Sequence, residues 1–219
     1  MDRLGIMTGI LIACIGIGLW ITPCMAGERY LSGGPDLFVS LGSTSELIPG
    51  ATAELPVTIG NKGTVTMENY YYLSMQPMYP PTTAKSTIIE LLPGDAPVLV
   101  RSNSQIIGDV EAGQIVPATF TVDIPQAATA GNYTMLVRIN YSYVPQIEQQ
   151  GNTDMTYYFK GEETVLPVPV KIRRMVVLAI EKVESNNLSA GGEGVIDFTI
   201  RNTGQDTGIG TSLFLVPAG

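Results

Sequence analysis

Residues 37–63 read LFVSLGSTSELIPGATAELPVTIGNKG, and residues 178–204 read LAIEKVESNNLSAGGEGVIDFTIRNTG. The two stretches align without a gap at a spacing of 141 positions, from Leu37 against Leu178 onward. Matching residues recur at Val39/Ile180, Leu47/Leu188, Gly50/Gly191, Thr58-Ile59/Thr199-Ile200, Asn61/Asn202 and Gly63/Gly204. A repeat this long indicates a whole domain copied in tandem. Because the second copy reaches only Gly219, we expect it to be the truncated start of a further domain in a longer protein.

Strand periodicity dominates the chain from Pro35 onward. Apolar residues alternate with polar residues or proline along 53–59, which is typical of a half-buried strand. The segment Gly60-Asn61-Lys62-Gly63 then predicts a turn through residues that tolerate positive φ. Further strands are predicted at residues 67–75, 87–92, 98–100, 105–110, 118–124, 133–143 and 164–172. Short strands without a helical period predict an all-β fold, an antiparallel sandwich in tandem.

The N-terminus has the layout of a secretory signal. One basic residue, Arg3, precedes an apolar run over residues 4–21, and the small residues Cys24 and Ala26 bracket a cleavage site before Gly27. We therefore expect a signal peptide over residues 1–26 and an extracellular or cell-envelope location. An uncleaved membrane anchor and lipid attachment at Cys24 are the alternatives.

The domain boundaries follow from the repeat and the signal. The first sandwich is expected over residues 27–174 and the incomplete second one over residues 175–219. Residues 171–180 contain neither glycine nor proline, so one copy should pass almost directly into the next around Arg173–Arg174. Such a short connection predicts a stiff rod rather than domains on a flexible tether.

Composition argues against most catalytic chemistry. The chain contains no histidine, and its two cysteines, Cys14 and Cys24, fall inside the predicted signal. A Ser-His-Asp triad, a Cys-His pair and an ordinary zinc site are therefore excluded from the mature chain. Paired carboxylates among Asp109, Glu111 and Asp123 are the remaining hydrolase candidates, with solvated surface acids as the alternative. We expect no enzyme activity, and a net charge of -8 argues against nucleic acid as a partner.

Two short motifs refine the sandwich prediction. The segment Thr129–Met135 resembles the tyrosine corner of immunoglobulin-like domains, with Tyr133 opening a strand and Met135 at the core position two residues later. Pro167 and Pro169 remove two amide donors from the same edge of one strand, which predicts that this edge is unpaired. The fold is therefore predicted to be immunoglobulin-like.

These motifs resemble the immunoglobulin-like repeats of archaeal S-layer-related surface proteins and the bacterial adhesion-associated modules of CARDB type. The shared elements are Leu47–Gly50, Ile59–Gly63 and Gly131-Asn132-Tyr133, and the first two recur in the second copy. The resemblance implies a sandwich of seven or more strands, secretion, and a scaffold or adhesive role at the cell envelope. It implies contact with other envelope proteins or surface glycans, and with a membrane only through the N-terminal segment or a C-terminal anchor absent here.

Three kinds of residue are candidates for sites. The sequons at Asn132, Asn140 and Asn187 predict glycosylation in an exported chain. Tyr70, Tyr72, Tyr157 and Tyr158 are candidates for a recognition surface, since exposed tyrosine provides contact area at low entropic cost. The alternative is that they pack against the neighbouring repeat or cap the sheet. The irregular segment 75–81 has the same two interpretations. No cofactor is expected, and calcium at Asn152-Thr153-Asp154 or Gly108–Glu111 is the one ion considered.

The sequence as a whole favours a non-enzymatic scaffold or adhesion protein of tandem immunoglobulin-like domains. The first alternative is an accessory carbohydrate-binding module of a larger secreted enzyme. The second is a lattice subunit whose copies associate edge to edge, against which the proline-bearing strand edge argues.

Overall fold

The computed structural model describes residues 29–42, 46–68, 77–150, 154–214 and 216. Within these residues the regular elements are strands, without a helix. They are β1 (Arg29–Gly33), β2 (Leu37–Leu41), β3 (Glu46–Leu47), β4 (Thr52–Asn61), β5 (Val65–Glu68), β6 (Ala84–Leu92), β7 (Leu99–Val100), β8 (Gln105–Val110), β9 (Ile115–Asp123), β10 (Gly131–Tyr143), β11 (Gln146–Gln150), β12 (Asp154–Tyr157), β13 (Lys160–Ile172), β14 (Leu178–Asn186) and β15 (Val195–Asn202). The predicted signal, residues 1–26, lies outside the described residues. In the described ranges no helix is long and apolar enough to cross a membrane.

Two sheets pack face to face to form the first domain. One has the strand order β2-β4-β9-β7, and the other has the order β3-β13-β10-β6-β8. Neighbouring strands in both sheets are antiparallel, except that β3 pairs in parallel with the end of β13. The prediction of an all-β sandwich is confirmed.

The core lies between the two sheets and follows directly from the alternation of the sequence. Leu55, Val57 and Ile59 project from β4, and each is at most 1% exposed. Met135, Val137 and Ile139 project from β10 of the opposite sheet and are fully buried, as the alternation predicts. Burial of this apolar surface, at about 25 cal/mol per Å², is the main term that holds the sheets together.

A third, smaller sheet lies outside the sandwich core, with the order β12-β11-β1-β5. Its own apolar cluster consists of Leu31, Val144 and Ile147, with Met155 packed against it. No strand was predicted between residues 143 and 164, and this was wrong, because β11 and β12 pair there as antiparallel strands. The predicted strand at 67–75 begins within β5, and its remainder lies outside the described residues.

Asn61 organises the end of β4 in the first copy. Its Oδ1 accepts hydrogen bonds from the N–H groups of Asp36 (3.1 Å) and Gly63 (2.9 Å). Its Nδ2 donates to the carbonyls of Thr82 (2.8 Å) and Val110 (2.9 Å), and the residue is 1% exposed. The turn predicted at 60–63 was wrong, because Gly60 and Asn61 are the end of β4 and residues 62–64 connect β4 to β5 without a positive φ. The asparagine side chain holds this connection.

Asn202 makes the equivalent acceptor bonds in the second copy, whereas its Nδ2 donates to the carbonyl of Asp206. Its Oδ1 accepts from the N–H groups of Val177 (3.3 Å) and Gly204 (3.0 Å), which are the positions 141 residues after Asp36 and Gly63. A Cβ on Gly204 would lie 2.2 Å from the Met175 carbonyl oxygen, just as one on Gly63 would lie 2.4 Å from that of Gly34. The sequence repeat is therefore also a repeat of backbone geometry, and glycine is required by close approach at both positions.

The second copy contributes the hairpin β14-β15 to the described residues. Leu178 pairs with Asn202, matching the pairing of Leu37 with Asn61 in the first copy. Leu178 is 46% exposed, whereas Leu37 is 8% exposed beneath the facing sheet. The hairpin thus presents the apolar face that the first copy buries, and the truncated-domain interpretation stays a prediction.

Residues 173–177 connect β13 to β14, at the place where one copy was predicted to pass almost directly into the next. The connection is fixed at both ends. The N–H of Arg173 donates to the carbonyl of Leu47 (2.9 Å), and the carbonyl of Met175 accepts from the N–H groups of Gln205 (2.9 Å) and Asp206 (3.1 Å). These bonds leave the connecting backbone little freedom.

Candidate functional site

The carboxylates considered for catalysis are engaged in separate contacts. Asp109 accepts from Lys85 Nζ (2.5 Å) and from the N–H of Ser86 (2.9 Å), and these bonds lower the pKa of its carboxyl. Asp123 accepts from the hydroxyl of Thr52 (2.7 Å) and from Arg101 Nε (2.6 Å), which lower its pKa in the same way. Each carboxylate is stabilised in its charged form by its own donors, which is a structural role.

The calcium candidates do not form an oxygen cage in the described part of the chain. No group of three or more Asp, Glu, His or Cys residues there could hold a metal ion. Glu111 is exposed beside the turn to Gln114, and Asp109 is held by Lys85. Asp154 lies exposed on β12, and Asn152 and Thr153 lie outside the described residues.

The three sequon asparagines are exposed. Asn140 lies on the outer face of β10, opposite Glu163 on β13, and Asn132 lies at the start of the same strand. Asn187 follows β14 with a φ of 60°, in the left-handed region that asparagine tolerates. A glycan at any of these positions would extend into solvent without disturbing the core.

An aromatic patch joins two segments that the sequence presented separately, and it consists of Met78, Tyr79, Tyr157, Tyr158 and Phe159. The ring of Tyr79 makes edge contacts with Tyr157 (5.3 Å between centroids) and Phe159 (5.4 Å). The Tyr157 hydroxyl accepts from the N–H of Met78 at 3.2 Å. The patch therefore connects the irregular segment before β6 with the end of β12.

The patch is part structural and part exposed. Tyr79 and Tyr157 are half-buried and pack against the small sheet, so for Tyr157 the structure favours packing over a free recognition role. Tyr158 and Phe159 remain 54% and 55% exposed, and Met78 is 75% exposed. Lys85 Nζ lies 4.9 Å from the centre of the Tyr79 ring, which adds a cation–π contact at the rim. Tyr70 and Tyr72 lie outside the described residues.

The structural candidates are Tyr133 on β10 and Pro167 and Pro169 on β13. The prediction that the proline-bearing edge of β13 is unpaired was wrong where β3 pairs with it. The Tyr133 hydroxyl donates to the carbonyl of Thr129 at 2.9 Å, which is the bond of a tyrosine corner. Since the N–H of Arg173 points outward to Leu47 on β3, Pro167 and Pro169, at the same parity on β13, face the same outer edge. β3 covers only Lys171 and Ile172 of that edge, so the prolines lie on its unpaired part.

Several residues of the patch and of the repeat could not be singled out from sequence. Phe159 and Lys85 gain their neighbours only when β6 and β12 are brought together. The buried role of Asn61 had one signal, the recurrence of the same Asn-x-Gly at position 202. A turn-forming asparagine and a buried one are indistinguishable by residue type alone.

No protein-family model matches the chain, and no curated protein sequence matches it.

Proposed function

We propose that the chain is a non-enzymatic scaffold or adhesion protein of the cell envelope, built from tandem immunoglobulin-like domains of the archaeal S-layer-related or CARDB-like type. The observation that carries the proposal is the paired geometry of Asn61 and Asn202. Two copies with the same asparagine bonds, joined by a connection fixed at both ends, are suited to act as a stiff spacer. A spacer positions whatever it bears at a set distance from the cell.

The immunoglobulin-like assignment is supported by three features of the first sandwich. These are the tyrosine corner at Tyr133, the parallel pairing of β3 with β13, and two sheets of mainly antiparallel strands over one core. A structural role is supported by the separate ion pairs of Asp109 and Asp123, since a paired-carboxylate mechanism requires two acids that face one substrate.

The adhesive part of the proposal is assigned to the aromatic patch. Tyr158 and Phe159 connect β12 to β13, Met78 lies in the irregular segment before β6, and all three are exposed. Aromatic side chains lose little conformational entropy on binding a protein or a glycan. We expect other envelope proteins or surface glycans as partners. The patch also favours the second candidate function, an accessory carbohydrate-binding module of a secreted enzyme, because exposed rings stack on sugar faces.

Cell fractionation with mass spectrometry tests the proposal. The expected result is protein in the envelope fraction, beginning at Gly27, with glycopeptides covering Asn132, Asn140 or Asn187. Protease added to intact cells should cleave it. A protein found only in the cytoplasm and beginning at Met1 would contradict the proposal.

Binding measurements separate the two candidate functions. Purified protein is titrated with soluble polysaccharides and with solubilised envelope proteins, alongside the variant Tyr158→Ala with Phe159→Ala. Saccharide binding that the variant loses would favour the carbohydrate-binding module. Binding to envelope protein alone would favour the scaffold.

A further inference from the structure

Gln205 lies where the two copies meet, and the equivalent residue of the first copy is Thr64. The loops Asn61-Lys62-Gly63-Thr64 and Asn202-Thr203-Gly204-Gln205 correspond at the spacing of the repeat, and they differ at the last position. Both loops make the same asparagine bonds. The glutamine is therefore not needed to form the loop, since the first copy forms it with threonine.

The Gln205 side chain bonds to the first copy through both of its polar atoms. Its Oε1 accepts from the N–H of Ala130 at 2.7 Å, and its Nε2 donates to the carbonyl of Ala128 at 3.3 Å. The turn at residues 128–130 is also fixed to the first sandwich, because the Tyr133 hydroxyl donates to the carbonyl of Thr129. The amide thus bridges a rigid turn of one copy and a rigid loop of the next.

The geometry points to Gln205 as a clamp that sets the angle between adjacent copies, with the turn at residues 128–130 as its docking surface. The copies otherwise meet across a cleft of about 410 Å³, lined by residues such as Pro49, Gln126, Met175 and Val177. In the part of the chain that the structure describes, the hydrogen bonds that join the second copy to the first come from this side chain, so they should fix much of the angle between the copies. The backbone bonds at Met175 join the connecting residues to the second copy. The Gln205 side chain then fixes the orientation of the second copy relative to the first.

The size of the effect follows from the two bonds. A neutral hydrogen bond contributes a factor of about 2 to 10 to an equilibrium, the lower part of the range applying to exposed groups. Loss of both bonds should raise the population of undocked orientations about tenfold. The biological role of this clamp rests on the proposed spacer function. The clamp itself can be measured on the purified chain.

The test is a distance distribution between spin labels on the two copies. Labels are attached through Ser104→Cys and Ser185→Cys, both at exposed positions, in a chain whose Cys14 and Cys24 are replaced by serine. The variant Gln205→Thr restores the residue that the first copy carries. We expect a narrow distribution in the parent chain and a clearly broader one in Gln205→Thr.

Two controls separate orientation from folding. Thr207→Ala changes the same loop without removing a bond to the first copy. Thr64→Gln places a glutamine at the equivalent position of the first copy and leaves Gln205 unchanged. Both variants should keep the distance distribution narrow. If Gln205→Thr lowers the unfolding midpoint, Gln205→Glu is measured instead, since it keeps an acceptor for Ala130 and loses the donor to Ala128. A broad parent distribution, or equal widths in parent and variants, would overturn the clamp. Envelope location is tested in cells, so either result leaves that proposal standing.

Discussion

Asn61 allows a quantitative test because its side chain satisfies four backbone groups at once. Replacement by alanine leaves the N–H groups of Asp36 and Gly63 and the carbonyls of Thr82 and Val110 without these partners. Three of the four bonds are fully buried. At about 1 kcal/mol for each abandoned group, the low end of the usual penalty, the free energy of unfolding should fall by about 4 kcal/mol. This is a large part of the 5–15 kcal/mol typical of a domain.

The repeat supplies the matched control for this prediction. Asn202→Ala removes the same kind of bonds from a loop that is exposed, where water replaces them, so the loss should be about 0.5–1 kcal/mol. Asn61→Asp keeps the two acceptor bonds, but it buries a carboxylate oxygen against the carbonyl oxygens of Thr82 and Val110. Because burying such a charge is costly, this variant should lose at least as much stability as Asn61→Ala.

Urea unfolding followed by far-UV circular dichroism at neutral pH measures these losses. The midpoint of the first domain should shift in Asn61→Ala while the slope with denaturant stays constant. A loss below about 1 kcal/mol, or equal losses in Asn61→Ala and Asn202→Ala, would refute the reasoning that burial makes the difference.

Three further outcomes are expected. The carboxyl pKa of Asp123 is lower in the folded than in the unfolded state, so its stabilising contribution is present above the ordinary pKa of about 4 and is lost as pH falls through the folded pKa. Asp123→Asn should therefore flatten the dependence of the urea midpoint on pH between about 7 and 2.5. An unchanged dependence in the variant would contradict this assignment. Pro167→Thr with Pro169→Thr restores two donors on the unpaired edge of β13, so light scattering should detect dimers or larger species at concentrations where the parent chain is monomeric. Tyr133→Phe should cost about 1 kcal/mol in unfolding free energy through the lost corner bond, whereas Tyr158→Phe, on an exposed ring, should cost close to nothing.

The main sandwich could be predicted because its strands carry their own signal. Alternation along β4 and β10 places one set of side chains in the core, and the structure buries that set. The prolines of β13 and the tyrosine corner predict hydrogen bonds that are missing or made within or near their own strand. These are local properties, and a single sequence contains them.

The small sheet could not be predicted in the same way. The sequences of β1 and β11 are RYLSG and QIEQQ, with too few apolar residues to show a period. Their pairing is stabilised by Leu31 and Ile147. These residues meet only because the hairpin of β11 and β12, more than a hundred residues later in the chain, packs beside β1. The aromatic patch depends on the same long-range contact, so its composition was not visible in either segment alone.

The parallel pairing of β3 with β13 has a mechanical consequence for a chain under tension. β3 lies near the start of the first sandwich and β13 leaves it toward the second copy, so force applied at the two ends of the chain pulls these neighbours in opposite directions along their length. The bonds at Lys171, Ile172 and Arg173 are then loaded in shear and resist together, rather than opening one after another. β3 is one of the two two-residue strands of the sandwich, and it would resist a stretching force once β2, which precedes it in the chain, has separated from β4.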